Sequence, residues 1–140
     1  YISSRNTFGD DQYMKLRIRG NSLRFRLGRS EVEDLARKGR IEEIVNFNPL
    51  DQNDLCYALE KTSANEFSGT FTGGRITVGV PAAIIDLWAA TEQVSIEGSQ
   101  KLDAQTNLKF LIEKDFVCLN AHNDEDQSDR YPHPKGDEAC

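Results

Sequence analysis

Leu55-Cys-Tyr-Ala-Leu-Glu60-Lys61 recurs 53 residues later as Leu108-Lys-Phe-Leu-Ile-Glu113-Lys114. Extended outward from that seed without a gap, residues 14–61 fall on residues 67–114. Gly20 meets Gly73. Leu23, Phe25 and Leu27 meet Ile76, Val78 and Val80; Val32 and Leu35 meet Ile85 and Trp88; Ile41 meets Val94. Only six of the 48 aligned pairs are identical, so identity carries little of the argument. The agreement of apolar positions carries more, because a repeated pattern of burial means a repeated supersecondary unit.

Each copy reads as ββαββ. Lys15-Leu-Arg-Ile-Arg19 and Ser22-Leu-Arg-Phe-Arg-Leu27 alternate polar and apolar residues around Gly20-Asn21, which predicts a hairpin with a two-residue turn. Gly73-Gly74 takes the same place in the second copy, between Thr70-Phe-Thr72 and Arg75-Ile-Thr-Val-Gly-Val80. A helix follows each hairpin. The first is expected to open on a capping box of Ser30 and Glu33, with Val32, Leu35 and Ala36 on its buried face. The second is expected to open at Pro81, with Ile85, Trp88 and Ala89 on the equivalent face. A strand at about 40–46 or 92–97, a polar spacer and a last strand at 55–61 or 107–114 complete each copy. Residues 1–13 show no periodicity and are expected to lie outside the fold. Residues 115–140 form an acidic, irregular tail with no counterpart in the repeat.

The bulk properties fit a soluble α+β domain made of two fused halves. Charged residues are 29% of the chain and the net charge is −6. No apolar run approaches the ~20 residues of a membrane span, and the start lacks the layout of a secretory signal. Three cysteines argue against a disulfide scaffold, which points to a reducing, cytoplasmic setting.

Arg19-Gly-Asn-Ser-Leu-Arg-Phe-Arg-Leu27, followed by a helix and Gly39-Arg-Ile-Glu-Glu-Ile44, resembles the swapped-hairpin domain of the AbrB/MazE type. Gly74-Arg-Ile-Thr-Val-Gly-Val-Pro-Ala-Ala-Ile84 with Gln93-Val-Ser-Ile96 resembles the other common version of that domain. The resemblance implies two interleaved units in a small β-barrel. With both units in one chain, it implies a monomeric pseudo-dimer, and exchanged strands would leave few unpaired edges. Over its whole length the chain is also similar to a group of uncharacterised bacterial proteins ending in a strand like Glu113-Lys-Asp-Phe-Val-Cys-Leu119 and an element like Asp129-Arg-Tyr-Pro132.

Lys15, Arg17, Arg19, Arg24 and Arg26 alternate with apolar residues, so period-two geometry puts all five on the face opposite the core. Such a ribbon can offer arginines to phosphates and guanine edges in a major groove. The candidate DNA-contacting residues are Arg17, Arg19, Asn21, Ser22, Arg24 and Arg26. Of these, Arg17, Asn21, Ser22 and Arg26 match DNA-contacting positions of MazE-type antitoxins, as the resemblance implies. The second hairpin carries only Arg75. A solvated face, or one paired with the chain's own acidic tail, is the alternative reading of these cations.

The tail holds Cys118, His122, His133 and Cys140 in the spacing C-x3-H-x10-H-x6-C. Two thiolates and two imidazoles would satisfy tetrahedral zinc. The tail can also serve as a docking segment for a protein partner, as acidic C-terminal extensions do in MazE-type antitoxins. Asp124, Glu125, Asp126 and Asp129 lack the glycine and final glutamate of an EF-hand loop. The chain carries no G-x-S-x-G, P-loop, G-x-G-x-x-G or H-E-x-x-H motif. Glu60 and Glu113, each followed by lysine, read as strand-end surface residues supported by those lysines, or less readily as a carboxylate pair across a pseudo-two-fold axis. Cys56 aligns with Lys109 and reads as an ordinary thiol. The expected function is therefore a non-enzymatic binding module, with zinc binding or adaptor activity as the alternatives.

Overall fold

Two-residue turns set the register of both hairpins. β1 (Lys15–Arg19) and β2 (Ser22–Leu27) pair antiparallel, and Arg19 faces Ser22 across Gly20-Asn21. β5 (Ser68–Thr72) and β6 (Arg75–Pro81) pair identically, with Thr72 facing Arg75 across Gly73-Gly74. Gly20, Gly73 and Gly74 have φ of 55°, 58° and 76°, a region that L side chains adopt only with strain. The computed structural model describes residues 13–50 and 54–116.

Helices follow both hairpins, α1 (Arg29–Lys38) and α2 (Ala82–Ala90). The capping box differs from the one the sequence predicts. Glu31, not Glu33, closes it: its Oε1 accepts the Gly28 N–H at 2.8 Å, and Gly28 rather than Ser30 is the cap. Glu31 is thereby buried at the start of the helix, where a carboxylate also suits the dipole. Pro81 precedes the first turn of α2 as its cap residue. α1 ends on Gly39, left-handed at φ 85°, whose N–H donates to the Leu35 carbonyl.

β3 (Arg40–Asn46), β4 (Asp54–Thr62), β7 (Ser95–Lys101) and β8 (Asn107–Lys114) complete two sheets, in the orders β1-β2-β8-β7 and β3-β4-β6-β5. The halves are therefore interleaved: each hairpin lies against the last two strands of the other half. The joining strands run parallel, β2 with β8 from Ser22↔Lys109 and β4 with β6 from Cys56↔Arg75. Adding 53 to the first pair and subtracting it from its partner gives the second pair, so the pseudo-two-fold holds at the level of single residues. It fails in one place. Arg40 faces Glu60, yet Ser95 rather than Gln93 faces Glu113. β7 has slipped by two residues, with a longer link after α2 and a shorter loop before β8. The counterpart of Ile41 is thus Ile96, which is 4% exposed, and not Val94, which is 49% exposed. A slip of two preserves the inward face, which a slip of one would have inverted.

Facing sides of the sheets and the inner faces of the helices enclose the core. Phe25, Leu27, Ile96 and Ile112 come from one sheet and Ile41, Leu59, Val78 and Val80 from the other. Leu35, Val32, Ile85 and Trp88 cap the core from the helices, and Trp88 donates its indole N–H to the Val94 carbonyl at 3.0 Å. Lys61 and Lys114 occupy equivalent positions and repeat one task. Each ammonium donates to a carbonyl at a helix end, Lys61 to Ala36 and Lys114 to Thr91. The lysines therefore hold the helix ends and do not support Glu60 and Glu113 as the sequence suggests.

Among the described residues no closed barrel forms, contrary to the sequence expectation. The reason lies at the two seams, where side chains take up edge backbone groups that a continuous ladder would have used. At one seam the Met14 N–H donates to Glu43 Oε2 at 3.3 Å, and the Met14 carbonyl accepts the Tyr57 hydroxyl at 2.8 Å. At the other, the Gly69 N–H donates to Gln100 Oε1 at 2.9 Å, and Phe67 stacks on Phe110 with centroids 5.9 Å apart. Met14 and Phe67 are equivalent residues, as are Tyr57 and Phe110. The seams match in place and differ in chemistry.

Candidate functional site

The outer face of the first sheet is set by alternation and register. Arg19, Ser22, Lys109 and Ser99 form one row across β1, β2, β8 and β7; Arg17, Arg24, Leu111 and Glu97 form the next; Lys15, Arg26, Glu113 and Ser95 form the third. The first two rows line a groove of about 510 Å³. Its charged lining consists of Arg17, Arg19, Arg24 and Lys109 against Glu97. Cations outnumber carboxylates in this lining on a chain of net charge −6, although one of the four, Arg24, is bonded to Glu113 of the next row.

The third row is compensated, and its carboxylate also engages Arg24 of the second row. Glu113 Oε1 accepts Arg24 Nε at 2.8 Å and Arg26 Nη2 at 3.0 Å, and it also lies 2.6 Å from Arg24 Nη2. The glutamate side chain is 15% exposed, and those of Arg24 and Arg26 are 31% and 37% exposed. These half-buried, charge-assisted bonds fix the guanidinium planes against the sheet. Lys15 reaches Asp115 at 3.3 Å. The positive end of the face is therefore the turn end, marked by Arg17, Arg19 and Lys109.

The sequence-predicted DNA-contacting residues fall into three groups. Arg17 and Arg19 are exposed on β1. Arg24 and Arg26 project from the same face, tied to Glu113. Asn21 and Ser22 have local structural bonds: Asn21 Nδ2 donates to the Asn107 carbonyl at 2.7 Å, and Ser22 Oγ donates to the Arg19 carbonyl at 2.7 Å. The Lys109 N–H donates to the Asn21 carbonyl, so the turn is bolted to β8 and does not protrude. Lys109, Ser99 and Glu97 belong to the groove and were missed in the sequence. They come from the other half of the chain, and only the β2–β8 register brings them here.

The equivalent face of the second sheet is built differently. Ser68, Thr70, Thr72, Thr77 and Gly79 replace the cations, leaving Arg75 and an ion cluster at the far edge. There Arg40 bridges Glu42 at 3.0 Å and Glu60 at 2.5 Å. Burial opposes the Arg40 charge, but its bonds to Glu42 and Glu60 prevail and hold it above the usual guanidinium value. Glu60 and Glu113 therefore answer arginines in separate sheets and do not pair with each other. Cys56 lies beneath this cluster, 3% exposed although it points away from the core. Burial first, and then the nearby Glu42 charge, push its thiol above the ordinary value, so it stays protonated at neutral pH.

Cys118, His122, His133 and Cys140 lie outside the described residues, as do residues 1–12 and most of the tail. Among the described residues no group of three or more histidine, cysteine or carboxylate side chains is arranged to hold a metal ion. Nor is any helix among them long and apolar enough to cross a membrane. No curated protein and no solved structure matches the chain with significance. One family model does match, over residues 14–135, which take in the entire interleaved fold; the chain belongs to the family of unknown function DUF7009.

Proposed function

We propose that this protein is a non-enzymatic binding module that holds DNA or another anionic partner on the outer face of its first sheet. The observation that carries the reading is the groove at the turn end of an otherwise acidic chain, lined by Arg17, Arg19 and Lys109 with Glu97, and by Arg24, which Glu113 already engages. Phosphate oxygens are the natural ligands of such an array, because guanidinium groups bind them through paired N–H donors. We further propose that the fold is a duplicated swapped-hairpin domain of the AbrB/MazE type, acting as a monomeric pseudo-dimer. Its support is the exchange of hairpins between halves at equal register.

Fluorescence anisotropy at low salt, with a mixture of short single-stranded and duplex DNA, tests the binding reading. Binding that weakens steeply with salt and is lost in Arg17→Ala with Arg19→Ala, but kept in Arg75→Ala, is the expected result. No binding of either form at low salt would sink it.

A further inference from the structure

We infer that the ligand of this face is a single strand of nucleic acid held by its phosphates, with Lys109 of the second half as a contact residue. The inference rests on the anion-binding reading above and narrows it by geometry. A major groove about 12 Å wide admits a two-stranded ribbon. Here the ribbon is half of a four-stranded sheet, and three strand spacings of about 4.8 Å put the edge strands roughly 14 Å apart before side chains are added. Lys109 stands on the third strand, so the charged surface cannot enter the groove as a unit. The turn that would lead the way is tied back by Asn21 to the Asn107 carbonyl and by the Lys109 N–H.

Symmetry points the same way. Dimeric readers of duplex DNA present matched surfaces to two half-sites. In this chain the second sheet shows serine and threonine where the first shows cations, so there is only one such surface among the described residues. A one-sided face suits a ligand with one backbone.

The rows also supply a path. Successive rows along a strand are two residues, or about 6.6 Å, apart. That is close to the reach from one phosphate to the next in an extended single strand. The cations lie over β1 and β2 with Lys109 beside them, while Glu97 and Glu113 line the β7 and β8 side. A polyanion would run along β1 and β2 toward Arg19, competing with Asp115 and Glu113 where it crosses the row of Lys15 and Arg26. No aromatic side chain occurs in these three rows, so the base-stacking platform of many single-strand binders is absent from them. Recognition falls on the backbone and is insensitive to sequence.

The test uses the full chain and fluorescence anisotropy with oligothymidylate, a mixed-sequence single strand and a duplex of equal length. Both single strands should bind alike and about tenfold more tightly than the duplex at low salt, with a log–log salt slope near −2 for about three phosphates. Lys109→Glu should weaken single-strand binding by about tenfold and flatten the slope by about one unit. Arg19→Glu provides the same test at a second exposed position if the first variant loses its native thermal midpoint. Duplex binding equal to or tighter than single-strand binding overturns this inference and leaves the anion-binding reading standing. Single-strand binding that neither variant changes also overturns it. Failure of all three oligonucleotides to bind overturns this inference and removes DNA from the broader reading.

Discussion

Glu113 is the residue on which the electrostatics of the outer face turn. One of its oxygens accepts from both Arg24 and Arg26, so an anionic ligand must compete with a carboxylate already in place. Glu113→Gln keeps the shape and removes the charge. The variant should bind oligonucleotide several-fold more tightly, with a salt slope steeper by roughly 0.7. Its stability should fall by about 1 kcal/mol, a modest loss because the arginines remain partly in water. Anisotropy and thermal melting read the two effects separately; unchanged or weaker binding would show that Arg24 and Arg26 lie off the ligand path. At this scale the sequence was half legible. Alternation alone puts the five cations of the hairpin on one face. The glutamate that engages two of them stands 87 residues or more away in the chain, and nothing local announces that pairing.

The hairpins and helices were the most legible elements, because Gly20-Asn21 and Gly73-Gly74 force the turns and the apolar periods fix the buried faces. The slip of β7 was not legible. A gapless alignment puts Val94 on Ile41, whereas the longer link after α2 brings Ile96 to the buried place. The seam between β5 and β7 shows what such a slip must satisfy. Gly98 has become the counterpart of Glu43 and faces the Phe67 ring, and a Cβ there would strike that ring. Gly98→Ala should therefore lower stability by about 1–3 kcal/mol through overpacking of the seam. The matching drop in thermal midpoint should appear, and because the Gly98 backbone also lines the groove, melting rather than oligonucleotide affinity is the readout. A neutral or stabilising substitution would contradict the close approach of Phe67.

For the molecule as a whole, interleaving decides how the chain folds. The first sheet joins the two ends of the described fold, and Lys15 meets Asp115 across 100 residues. Cutting the chain between β4 and β5 leaves each half with a hairpin and a strand pair that belong to different sheets. Two half-chains, 13–62 and 67–116, should each show little cooperative structure as monomers and should recover native circular dichroism on mixing. A half that melts cooperatively as a monomer would argue against the exchange. Duplication was legible because burial repeats with the chain. The failure to close into a barrel was not, since it depends on side chains such as Glu43, Tyr57 and Gln100 reaching edge groups across the seams. The proposed function rests on the departures from symmetry: the two outer faces share one backbone and carry different charge. A backbone-amide NMR titration of the full protein with a single-stranded oligonucleotide tests this claim most directly. Saturable, salt-sensitive shifts are expected at Arg17, Arg19, Arg24 and Lys109, with Thr70, Thr77 and Arg75 unmoved. Shifts centred on the second sheet, or none at all, would contradict it.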